Sequence, residues 1–133
     1  MHQIIWKEEY LIGVEEIDRQ HMDFVKLINR LNIIKEYGDN LEYSLRLMAE
    51  VAKYADYHFT CEENIMYLTK YPDLEKQEKA HKEMLAEYGN LMQSIQNKEA
   101  VIEDVIKYLE AWFAQHSVEL DKRIGTFLKS RKK

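Results

Sequence analysis

Four histidines, His21, His58, His81 and His116, fall one to each of four segments whose apolar residues recur at helical spacing. Two carboxylates travel with them: Glu62 stands four residues after His58, and Asp121 five after His116. A helix brings residues i and i+4 to neighbouring points on one face, about 5–6 Å apart at Cβ. His58 and Glu62 can therefore offer a nitrogen and a carboxylate oxygen to one metal centre, or to two adjacent metals. Gln77 and His81 repeat the arrangement. The longer step from His116 to Asp121 suits a ligand at a helix end or just past a local irregularity.

Taking a carboxylate or several imidazoles out of water is costly unless they find partners. A lone histidine on an apolar face is ordinarily a hydrogen-bonded core residue. Four in phase on four segments, with two carboxylates in the same phase, are not independent coincidences and ask for a shared metal. Four imidazoles and two acids exceed what one tetrahedral zinc requires. They suit two iron-like ions with carboxylates between them, although divalent affinity alone does not select iron over zinc.

Four amphipathic segments must position these groups. Asp18 reads as the N-cap of the first, which continues through His21, Phe24, Ile28 and Leu31 and stops at Gly38-Asp39-Asn40. The second runs from about Leu41 to Leu68, with Val51, Ala55, His58, Glu62 and Met66 in phase. Tyr71-Pro72-Asp73 breaks the chain, and Asp73 is a candidate cap for a third helix carrying Gln77, His81, Met84 and Tyr88. Asn97 to Ala100 lead into the fourth, where Val105, Leu109, Trp112, Phe113 and His116 share a face. Its pattern resumes or continues past Leu120-Asp121 through Ile124, Phe127 and Leu128. Residues 1–16, with Trp6, Tyr10 and Ile12 around Gly13, are too apolar for a free tail and should lie across the rest. The fold expected is all-α: an antiparallel up-down four-helix bundle with an N-terminal arm packed across it, in one domain over residues 1–133.

Composition narrows the function. Only four glycines and one proline occur, which favours long helices over many-turned strand architectures. A net charge of -5 argues against nucleic acid as a partner, and the basic run Lys129 to Lys133 reads as a solvated helix end. The single Cys61 excludes an internal disulfide and a thiolate-rich zinc or iron–sulfur site. Met1 to Glu9 lack the basic start and apolar run of a signal peptide, and charges interrupt every apolar stretch, so a cytoplasmic protein with no membrane contact is expected. His2 is terminal, and the methionines Met22, Met48, Met66, Met84 and Met92 read as core filler rather than haem ligands.

At the level of motifs the chain resembles the hemerythrin family in its bacterial single-domain form. The matching elements are Ile17-Asp18-Arg19-Gln20-His21, His58-Phe59-Thr60-Cys61-Glu62-Glu63, Tyr71-Pro72, His81, and His116 through Asp121. Trp6 and Gly13-Val14 match the family's N-terminal arm. The resemblance implies a bundle holding two non-haem iron ions, bridged by carboxylates and an oxo or hydroxo group, that bind O2 reversibly. Carried over by position, His21 and His58 would ligate the iron that receives O2, and His81 and His116 its partner. Glu62 and Asp121 would bridge the two, while Phe59 and Phe113 would line the O2 pocket.

One departure outweighs the matches. The family places a third histidine on the second iron four residues before His81, and this chain has Gln77 there. A neutral carbonyl oxygen is a weaker, harder donor than imidazole. Gln77 would ligate weakly, hold a water, or act from outside the ligand set. Ser117 puts a hydroxyl where an aliphatic pocket residue is common, and Ile124 replaces a frequent tyrosine. The primary expectation is O2 binding for storage, delivery or sensing, with no committed catalytic residue. Gln77 motivates the alternative of an enzyme reacting with peroxide or nitric oxide, and a sensor would need an unidentified protein partner.

Overall fold

The computed structural model describes residues 6–34 and 40–131. His2, the expected stop at Gly38-Asp39 and the side chain of Ser117 lie outside the described residues. A short 3-10 turn, Glu8–Tyr10, precedes α1 (Glu15–Ile34), α2 (Leu41–Leu68), α3 (Leu74–Gln96) and α4 (Ile102–Trp112). A π-helical segment, Phe113–Leu120, then joins α4 to α5 (Asp121–Arg131) without a break.

Local chemistry sets most of these boundaries. Asn40 caps α2 by accepting the backbone N–H of Tyr43 at 2.9 Å. Lys70 takes a left-handed conformation (φ 60°) after α2, and Pro72 prevents the helix from resuming. Asp73 occupies the N-cap position of α3 but makes no side-chain capping hydrogen bond. At α4 the Asp104 carboxylate reaches back to the backbone N–H of Val101 at 3.0 Å.

Asp18 departs from expectation. α1 starts three residues earlier, at Glu15, so Asp18 lies inside the first turns rather than at the N-cap. Its carboxylate accepts the N–H groups of Ile12 (2.7 Å) and Gly13 (3.2 Å) and ties the arm to the helix. A buried acid serving the preceding loop looks in sequence like a cap.

The helices pack in a ring: α1 on α2, α2 on α3, α3 on α4, and α4 back on α1. Short links between the long helices make consecutive ones antiparallel, which completes the four-helix bundle. No strand occurs among the described residues, and no helix is long and apolar enough to cross a membrane. Two apolar clusters form. The larger joins Phe24, Ile28 and Leu31 to Val51, Met84, Tyr88 and Leu109; the smaller holds Met66, Tyr71 and Ile124. Burying each large side chain contributes about 1.5–3 kcal/mol.

The arm lies against the bundle as expected. Trp6 meets Tyr10 edge-on at 5.4 Å, and Tyr10 meets Phe113 at 5.5 Å. Ile12 is buried, and its carbonyl approaches Gly125 so closely that a Cβ there would stand 1.8 Å from the oxygen. Only glycine fits at that crossing.

Candidate metal centre

On α2, His58 and Glu62 fall between Ala55 of the large cluster and Met66 of the small one. The polar groups therefore occupy the zone between two apolar plugs. His21, His58, Glu62, His81, His116 and Asp121 are all buried, and Glu62 and Asp121 are fully so. Their ligating atoms form two groups: His21, His58, Glu62 and Asp121 in one, Glu62, His81 and His116 in the other, with atoms within 4.8 Å in each. The six residues singled out by spacing are thus brought together.

Glu62 faces both groups. Its Oε2 lies 3.3 Å from His58 Nε2, and its Oε1 lies 3.2 Å from His81 Nε2. Asp121 has the same double outlook, with Oδ2 3.1 Å from His21 Nε2 and Oδ1 3.9 Å from His116 Nε2. His21 and His58 approach each other at 3.1 Å between Nε2 atoms. The π-helical stretch explains the five-residue step. With i→i+5 hydrogen bonds each turn is wider, so His116 and Asp121 return to the same side.

Two residues that spacing did not single out orient the imidazoles. Gln20 Oε1 lies 2.7 Å from His58 Nδ1, and Glu63 Oε2 lies 2.7 Å from His81 Nδ1. Both partners are acceptors, which places a proton on each Nδ1 and leaves each Nε2 as a lone pair aimed inward. Gln20 had a signal: it is a polar residue within the apolar stripe between Ile17 and Phe24. Glu63 carries no mark in the periodicity and enters only as the last residue of the motif His58 to Glu63. Aromatic rings complete the packing. Phe59 stacks flat on His81 (4.0 Å, 3°), Trp112 stacks on His116 (4.4 Å, 18°), and Phe113 stands edge-on to His21 at 5.7 Å.

Electrostatics bear the marks of a cation's place. Burial, then His58, lowers His21 from its ordinary value to about 3, and burial with His81 lowers His116 to about 4. Both rings are neutral near pH 7, the form that ligates metal. Asp121 moves oppositely: burial and the charge of Glu62 push its carboxyl well above the usual range.

Both oxygens of Glu62 and of Asp121, together with Nε2 of His81 and His116, are buried without a hydrogen bond. Lone pairs of His81 and Glu62 facing each other at 3.2 Å repel, and a positive ion between them reverses the sign. Two ligands each about 2.1 Å from one ion and near right angles stand about 3 Å apart. The spacings around Glu62 fit that requirement, so the donor set suits a metal. Gln77 is also buried, at 5% exposure, and its Oε1 has no partner.

Comparison with known proteins agrees. The chain aligns with bacteriohemerythrin of Clostridium acetobutylicum at 23% identity, covering 89% of this chain and 95% of that protein. Myohemerythrin of Theromyzon tessulatum is 26% identical over 84% of this chain and 82% of its own. The crystal structure of wild-type hemerythrin superposes with a TM-score of 0.85 at 22% identity, over 96% of this chain and 98% of that one, and so shares the fold. Residues 12–127 match the hemerythrin HHE cation-binding domain, and the chain belongs to that family.

Proposed function

We propose that residues 1–133 act as one domain holding two non-haem iron ions and binding O2 reversibly for storage, delivery or sensing. His21 and His58 serve one ion, His81 and His116 the other, and Glu62 and Asp121 lie between them. The observation that carries this reading is the double-facing Glu62, whose two oxygens address imidazoles of different groups. Two ferrous ions there would supply the pair of electrons that O2 binding draws on.

The chain's own groups do the remaining work. Gln20 and Glu63 fix the ring orientations and keep Nε2 unprotonated. Phe59, Trp112 and Phe113 press apolar faces against the imidazoles and exclude water from the centre. Phe113, together with Phe59 and Ser117, is proposed to border the space that O2 enters. Cys61 is a free, half-buried thiol, in keeping with a reducing cytoplasm.

Anaerobic iron loading followed by optical spectra before and after air tests the proposal. A visible charge-transfer band that appears with O2 and bleaches on its removal is expected. Zinc in the protein after iron-replete expression, or the absence of such a band, would overturn it. The partnerless oxygen of Gln77 favours a second reading, an enzyme reacting with peroxide or nitric oxide. Steady-state turnover with an electron donor distinguishes that reading from stoichiometric binding.

A further inference from the structure

One turn before His81, Gln77 lines a cavity of about 80 Å³ together with Tyr71, Asp73, Lys76, Ala80, Leu120 and Arg123. One water needs only about 10–15 Å³ of such space, so a larger guest fits. Its lining joins exposed Asp73, Lys76 and Arg123 to buried Tyr71 and Gln77. Gln77 stands one turn before His81 on the same face of α3, and its buried oxygen has no partner.

We infer that this cavity admits a small monovalent anion to the His81–His116 half of the centre, an inference that rests on the proposed metal site. Two cations against one acid at the lining give it a positive balance suited to such a guest. Gln77 is neutral and its amide can turn to present either an acceptor or two N–H donors, so it accommodates water or an anion alike. Glu62, His81 and His116 offer three donor groups, with Asp121 3.9 Å from His116, and an iron ion so held would keep positions for an outside ligand.

Azide is the probe. Ferric, iron-loaded protein is titrated with azide, followed by visible absorption and by the infrared stretch of bound azide, with iron counted for every variant. The wild type should take two azides per protein. Gln77→His should abolish the second. Arg123→Gln, which removes a lining charge, and Ala80→Leu, which narrows the cavity, should each weaken it about tenfold. Thermal melts establish that the variants are folded, and the two cavity variants keep the test sound if Gln77→His misfolds. A single azide with two irons in the wild type, or a second azide indifferent to all three changes, overturns the inference while the metal centre stands. Fewer than two irons in fully loaded wild type overturns both.

Discussion

The two halves of the centre share their bridging acids but differ in how they are finished. His21 and His58 lie 3.1 Å apart, close to both acids, and Gln20 locks the ring of His58. The other half has His81 fixed by Glu63, His116 at 3.9 Å from Asp121, and a glutamine where the family places an imidazole. That glutamine also lines a cavity with two basic residues, whereas Phe113 stands against His21 in the first half. Aromatic rings pack on both halves, most tightly on His81 and His116, but only the second half carries the buried, partnerless amide of Gln77. If each half holds an ion, the two should differ in retention and access.

The largest change should come from removing what the halves share. Glu62→Gln keeps the shape but takes away the charge that faces both groups. Each group loses a ligand at once, so the effect should exceed the roughly 10–100-fold loss typical of an outer partner. Metal analysis after dialysis should find neither ion retained. Retention of both would end the view that Glu62 unites the halves.

Outer partners should separate the halves. Gln20→Ala frees the ring of His58, and Glu63→Ala frees that of His81. Each should weaken metal affinity about 10–100-fold, with Glu63→Ala acting on the already weaker half. Competition with a chelator, following release of the two ions in sequence, measures this. Identical release profiles in the two variants would show that the halves do not behave as distinct sites.

Gln77→His should bring the halves closer together. An imidazole donor in place of the amide should strengthen retention of the second ion about tenfold and slow oxidation by air. Iron content and the rate of autoxidation of the loaded protein are the readouts. Equal values in the two proteins would place Gln77 away from the metal.

Much of this was legible in the sequence, for physical reasons that vary by element. The bundle and the convergence of His21, His58, His81 and His116 follow from helical periodicity, because a polar residue in an apolar stripe points to the same interior as its neighbours. α2 begins at Leu41, as the pattern around Asn40 indicated, since its cap is a local interaction. The start of α1 is not legible, because Asp18 bonds backwards to Ile12 and Gly13, and a tertiary use of an acid carries no mark of its own. The π-helical stretch was visible only as an odd spacing. Glu63 was hidden, since its contact depends on how α2 meets α3 rather than on its place in either.

Protons offer a gentler test of the same centre in metal-free protein. His21 and His116 are lowered to about 3 and about 4, so below pH 6.5 the unfolded chain takes up protons that the folded one refuses. Stability is therefore whole above pH 6.5 and falls as pH drops towards 4, by up to about 1.4 kcal/mol per pH unit for each histidine. Asp121 works against this, because its raised value lets the native state bind a proton before the unfolded chain does. That benefit is present at acid pH and fades as pH rises through the raised value. The raised Asp121 therefore makes the decline shallower than the two histidines alone would give. Urea titrations of chelated protein at pH 7, 6 and 5 measure it, and Asp121→Asn should steepen the decline by removing the opposing group. A flat profile in the wild type would mean that His21 and His116 accept protons freely, and hence that the two halves open to water on the same footing.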